Sequence, residues 1–104
     1  MKKNKVKIIA EIGWNHMGSL SLAKKMIKSA ALSGADMVKL QTWSEKNLKN
    51  GPWDSDGRRE IYKKAELNQS DYLKLKSFSK KFNIELFTSL FNLKDYKIIF
   101  RILG

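Results

Sequence analysis

The chain has no cysteine, one proline, one histidine and ten acidic residues against 21 basic ones in a length of 104. Without cysteine there is no disulfide framework, no thiolate metal site and no thiol nucleophile, a composition that suits a reducing cytoplasm. A lone histidine cannot build a histidine-based metal site. Long apolar runs are missing too, and none approaches the roughly 20 residues that a membrane helix needs. The basic opening Met1-Lys2-Lys3-Asn4-Lys5 leads into about five apolar residues before Glu11, too short a run for a secretory signal. The expectation is a soluble cytoplasmic protein with no membrane partner.

What is present is enough for one domain or part of one: 42% hydrophobic residues, with eleven aromatics to fill a modest core. The formal net charge of +11 raises the question of nucleic acid. The lysines are scattered, however (Lys24, Lys25, Lys28, Lys63, Lys64, Lys80 and Lys81 among them), and arginine occurs only at Arg58, Arg59 and Arg101. Specific base readout favours more arginine. A solvated basic face therefore ranks above a nucleic-acid partner.

Hydrophobic spacing reads as strand, helix, strand, loop, helix, strand, helix. Val6 to Ala10 is the first strand, followed by a loop from Gly13 to Ser21 with Ser19 or Ser21 as helix N-cap. Leu22, Ala23, Met26, Ile27, Ala30 and Ala31 recur at helical spacing, and Gly34 supplies a left-handed stop. Met37 to Gln41 is the second strand. The stretch from Thr42 to Leu67 is polar, carries Pro52 and a turn at 54–57, and has room for a short helix over Arg59 to Lys64. Asn68 with Asp71 forms a capping-box pair opening a helix whose Leu75, Phe78 and Phe82 share a face. Asn83 ends it, and Ile84 to Thr88 is the third strand. Asn92 with Asp95 repeats the capping pattern before a last helical face of Tyr96, Ile99 and Leu103 and a stop at Gly104. Strands alternating with helices imply an α/β fold with right-handed crossovers and a parallel sheet.

The chemistry gathers where the apolar strands end. Lys39 and Gln41 share one face of the second strand, and Glu11 stands in the same relation to the first, so the three can meet near the strand tips. One reading is a structural ion pair between Glu11 and Lys39; the other is a site for an anionic substrate. The cost of keeping a buried charged pair favours the second. His16 lies in the loop Trp14-Asn15-His16-Met17-Gly18, where it has either a catalytic role or a loop-fixing hydrogen bond. Asn15 either holds the turn or contacts substrate. Thr88 and Ser89 close the third strand with hydroxyls that can hold a phosphate or carboxylate, or simply cap the next turn. Trp53, Asp54, Asp56 and Arg58 either cover a ligand or form a solvated excursion.

The segments IIAEIGWNHMGSLSLAKKMIKSAALSGAD, VKLQTW, YKKAELNQSDY and IELFTSLFN, spanning roughly Lys7 to Leu103, resemble the N-terminal part of the sialic acid synthase family. The resemblance implies the first three βα units of a (β/α)8 barrel that is incomplete here, since a whole barrel takes about 250 residues. In the family a small antifreeze-like domain follows the barrel. It also implies condensation of phosphoenolpyruvate with N-acetylmannosamine or a related amino sugar, releasing phosphate, with a divalent metal (manganese or magnesium) whose ligands lie outside this chain. By resemblance Glu11 is the strand-one catalytic carboxylate, Lys39 neutralises phosphoenolpyruvate, and Gln41 contacts the sugar. Asn15, His16 and Ser89 fall at further substrate-binding positions. The family commonly has Ser-Thr-Pro-Phe where this chain reads Thr88-Ser89-Leu90-Phe91, so the hydroxyl is kept and the proline is lost. A homodimer is implied for the full-length enzyme. The chain by itself is expected to be an inactive, poorly stable N-terminal fragment. The alternative is a stand-alone basic module that binds nucleic acid or a partner protein.

Overall fold

The computed structural model describes residues 6–103; the basic opening and the stop expected at Gly104 lie outside them. Three strands form one parallel sheet in the order β1-β2-β3: β1 Ile9–Gly13, β2 Met37–Thr42 and β3 Glu85–Leu90. Each pairs with its neighbour in sequence, Glu11 opposite Lys39 and Lys39 opposite Phe87. The sheet is open, the first three βα units of a (β/α)8 barrel.

The first strand starts three residues later than its apolar run suggests. The amides of Asp36 and Met37 both donate to the Ile8 carbonyl, at 2.9 and 3.2 Å, and the Ile8 amide donates to the Asp36 carboxylate at 2.8 Å, so Asp36 clamps Ile8 and the strand proper begins at Ile9. It also continues past Glu11, because Ile12 turns to the core and is buried. The third strand begins at Glu85, not Ile84, whose amide instead closes the preceding helix on the Ser79 carbonyl at 3.2 Å. It runs on to Leu90, paired with Thr42.

Among the described residues, four α-helices connect and cover the strands: α1 Leu20–Leu32, α2 Arg58–Ala65, α3 Gln69–Lys81 and α4 Tyr96–Leu103. Ser19 is the N-cap of α1, its Oγ accepting from the Leu22 amide at 3.1 Å. Asn68 and Asp71 form a reciprocal capping box on α3, at 2.8 and 2.9 Å. The second expected box does not form. Asn92 accepts from the Lys94 amide at 2.8 Å, while Asp95 accepts from the Ser44 hydroxyl at 2.7 Å, so a tertiary bond takes the place of the local one. Gly34 and Asn83 are both left-handed, at φ 94° and 54°.

The core lies between the sheet and α1, α3 and α4. Val38, Leu40, Ala23, Ile27 and Leu75 are completely buried there. On α4 the buried residues are Ile99 and Ile102; Tyr96 stands outside, its ring stacked on Phe100 instead of joining the face expected of it. The opposite sheet face carries Lys39 and Gln41, both half-buried. Thus the strand alternation that buries Val38 and Leu40 also aims the polar side chains to one side.

Candidate active site

Strand register decides which polar groups meet. Glu11 is opposite Lys39, and Oε1 lies 3.2 Å from Nζ. The pair is 48% and 30% exposed respectively, so desolvation costs it little and burial gives no reason to assign it a function. One step further along, Gln41 is opposite Ser89. The strand-tip residues therefore form two successive rows, charged below and neutral polar above. Gly13 closes β1 at φ 61° with a bulge after Glu11, and a side chain there would touch the Gln41 amide. Thr88, on the other face, is used internally. Its hydroxyl lies 2.7 Å from that of Thr42, which also bonds the buried Tyr72 hydroxyl. Burial pushes the Tyr72 phenol up to about 12. Of the two hydroxyls closing β3, only Ser89 shares the Gln41 side.

The loop after β1 is fixed from within. Ile12 O accepts from both the amide and the side chain of Asn15, at 3.2 and 2.8 Å. His16 is buried, and its Nδ1 accepts from the Gly18 amide at 2.9 Å, which places the imidazole proton on Nε2. Among the described residues, Nε2 has no hydrogen-bond partner. Burial holds the His16 pKa below its ordinary value, opposed by the charge of Asp71. His16 thus makes the loop-fixing bond, and Asn15 holds the turn while staying exposed. Gly18 seats this loop on the end of α2: φ is 82°, and a Cβ would fall 2.0 Å from the Lys64 carbonyl oxygen.

The β2–α2 connection is ordered by Arg59. Its guanidinium bonds Glu45 and Asp54, both at 2.6 Å, and the Glu45 carbonyl at 3.0 Å. Hydrogen bonds from Gly51 and Arg59 hold the Asp54 carboxyl below the usual range. Asp56 and Arg58 pair with each other at the exposed surface at 2.7 Å. Between this connection and the strand tips lies a pocket of about 190 Å³ lined by Trp14, Trp43, Leu48, Trp53, Tyr62 and Phe91. Trp14, Trp43 and Tyr62 meet edge to face, with centroids 5.9–6.3 Å apart. Sequence reasoning singled out only Trp53 of these. The signal was there: an aromatic directly follows each of the three strands, Trp14 after β1, Trp43 after β2 and Phe91 after β3.

A family model described as the NeuB family matches residues 26–102. The chain belongs to the NeuB family. It is 36% identical to the N,N'-diacetyllegionaminic acid synthase of Campylobacter jejuni over 106 residues, covering 91% of this chain and 32% of the relative. To the pseudaminic acid synthase of the same species it is 33% identical, covering 93% and 32%. Among solved structures, the N-acetylneuraminic acid (sialic acid) synthetase of Leptospira borgpetersenii, in complex with citrate, superposes with a TM-score of 0.83. That match has 33% identity and covers 95% of this chain and 34% of that one. This NeuB-family chain spans about a third of the length of the relatives it matches. Those relatives are synthases of sialic, legionaminic and pseudaminic acids. Among the described residues, no group of three or more histidine, aspartate or glutamate side chains is placed to hold a metal. Glu11 is a single carboxylate, so the described residues do not by themselves fit a divalent ion.

Proposed function

We propose that the polypeptide carrying these residues condenses phosphoenolpyruvate with N-acetylmannosamine or a related N-acetylated amino sugar, giving a nonulosonic acid and phosphate. The observation that supports this best is the Glu11–Lys39 pair set one register row before Gln41 and Ser89, at the carboxyl ends of parallel strands. Ligand chemistry in such sheets belongs at that end. Lys39 is tethered by Glu11 yet partly open to solvent, so it can neutralise the carboxylate or phosphate of the enol substrate. The Gln41 amide and Ser89 hydroxyl are placed to orient the sugar beside it, while His16 and Asn15 keep the β1 loop in position. Holding enol and aldehyde together and neutralising the anion supply much of the rate in a reaction of this kind. The charge of +11 favours encounter with an anionic substrate. No step here runs through a metal. The reading extends to a cytoplasmic homodimer for the full-length enzyme.

Three strands carry only part of the groups that a condensation needs, so the test is binding. Phosphoenolpyruvate is titrated into the chain and into Lys39→Met, with 31P line broadening as the readout. A charged hydrogen bond is worth roughly 1.5–3 kcal/mol, so the variant should lose at least about tenfold in affinity. Equal affinity of the two proteins, or no binding to either, overturns the assignment.

A further inference from the structure

The aromatic pocket is not explained by holding the fold together. Its six lining residues come from the ends of all three strands, from the β2–α2 connection and from α2 itself, yet Phe91 is 57% exposed on its rim. Two of the walls are anchored. Trp43 Nε1 donates to the Tyr62 carbonyl at 2.9 Å and Trp53 Nε1 to the Lys49 carbonyl at 3.0 Å, so their polar edges are satisfied outside the cavity and the ring surfaces are left to line it. The pocket continues the strand-tip rows: Trp43 stands two residues beyond Gln41, and Phe91 two beyond Ser89.

Size, polarity and charge narrow the occupant. Sites for whole drug-sized ligands run to about 300–1,000 Å³. At about 190 Å³ this one lies below that range and suits a small ligand or one substituent of a larger one. Its walls offer aromatic and leucine side chains and no charged group, so the substituent is apolar. Aromatic cages also take alkylated ammonium groups. Here the rim argues against a cation, because the Arg58 guanidinium already lies 6.0 Å from the Trp53 ring and the chain as a whole is strongly positive. We propose that the pocket formed by Trp14, Trp43, Trp53, Tyr62 and Phe91 is a specificity pocket that takes the N-acyl methyl group of the acceptor sugar. The inference rests on the sugar-synthase reading above and names the part of the acceptor that the enzyme selects.

All three tryptophans of the chain line the pocket, so its intrinsic fluorescence reports occupancy directly. The chain is titrated separately with N-acetylmannosamine, N-glycolylmannosamine, mannose and tetramethylammonium. N-Acetylmannosamine should give a saturable change, with the N-glycolyl sugar and mannose each at least about tenfold weaker, the scale on which apolar pockets discriminate small groups. Phe91→Ala, which removes a rim wall, and Leu48→Phe, which fills the cavity, should each weaken N-acetylmannosamine by about tenfold, with circular dichroism confirming that both fold. Equal response to mannose, preference for tetramethylammonium, or two folded variants that bind as wild type would overturn the proposal. Failure here with Lys39-dependent phosphoenolpyruvate binding intact removes the pocket assignment alone. Discrimination of the acyl group without phosphoenolpyruvate binding removes the condensation reading instead.

Discussion

Substituting two left-handed glycines separates backbone strain from steric fit. Gly18 and Gly34 have similar torsions, φ 82° and 94°, but different surroundings. A Cβ at Gly34 meets nothing within 4 Å, whereas at Gly18 it falls 2.0 Å from the Lys64 carbonyl oxygen and 3.1 Å from its carbon. Gly34→Ala should therefore pay only for the left-handed conformation, about 1–2 kcal/mol. Gly18→Ala carries the same term plus a clash with backbone, which cannot rotate away. Overpacking of this kind costs about 1–3 kcal/mol more. The combined loss is a large share of the roughly 5–15 kcal/mol that stabilises an ordinary domain. Urea unfolding followed by far-ultraviolet circular dichroism measures both variants against the parent. The midpoint of Gly18→Ala should drop by clearly more than that of Gly34→Ala, at unchanged slope. Equal losses would show that the β1–α1 loop does not press on the end of α2, and the packing described for His16 and Trp14 would have to be redrawn.

Three further outcomes follow from the same geometry. Leu40→Ala, at a completely buried site between sheet and helices, should cost about 2–5 kcal/mol in urea unfolding, while Leu73→Ala, 52% exposed, should stay within about 0.5 kcal/mol; similar losses would contradict the placement of the core. Tyr72→Phe removes the hydroxyl shared with Thr42 and should cost about 0.5–1.5 kcal/mol by thermal unfolding, with no loss counting against the buried hydroxyl cluster. Burial lowers the His16 pKa, so as the pH falls below about 6.5 the unfolded chain takes up the proton first and stability declines. As the sole histidine, His16 should dominate the fall in Tm between about pH 6.5 and 5.5, and His16→Gln should flatten it; a wild-type Tm that does not fall there would refute the burial.

Much of the architecture was readable because it is set by local chemistry. The Ser19 cap, the Asn68–Asp71 box and the left-handed Gly34 and Asn83 all act within a few residues, and each stands where the sequence points. Even α2 departs from its expected span by a single residue at each end. What was misread is set by distant partners. The start of β1 depends on where Met37 offers its amide, and Asp95 abandons a local cap for Ser44, far back in the chain. Tyr96 falls off the expected face because Ile102, not a strict repeat from Tyr96, completes the buried stripe of α4. For the site, period-two alternation was enough to put Glu11, Lys39 and Gln41 on one side. It could not show that the ion pair stays wet, nor that five rings separated by long stretches of chain share one cavity, since neither is a property of spacing.

The sheet order has a bearing on how the molecule is made. Because β1, β2 and β3 are neighbours in the same order in space and in sequence, each strand leaves the ribosome after the strand it must pair with. No strand has to wait for a later one to be inserted between it and its neighbour, as many doubly wound sheets require. Assembly can then proceed as stepwise addition to a growing edge, with α1 and then α3 folding against strands already in place. A chain arrested once β2 has cleared the ribosome should hold a β1–α1–β2 unit with its ladder formed, and one arrested with only β1 and α1 emerged should hold no ladder at all.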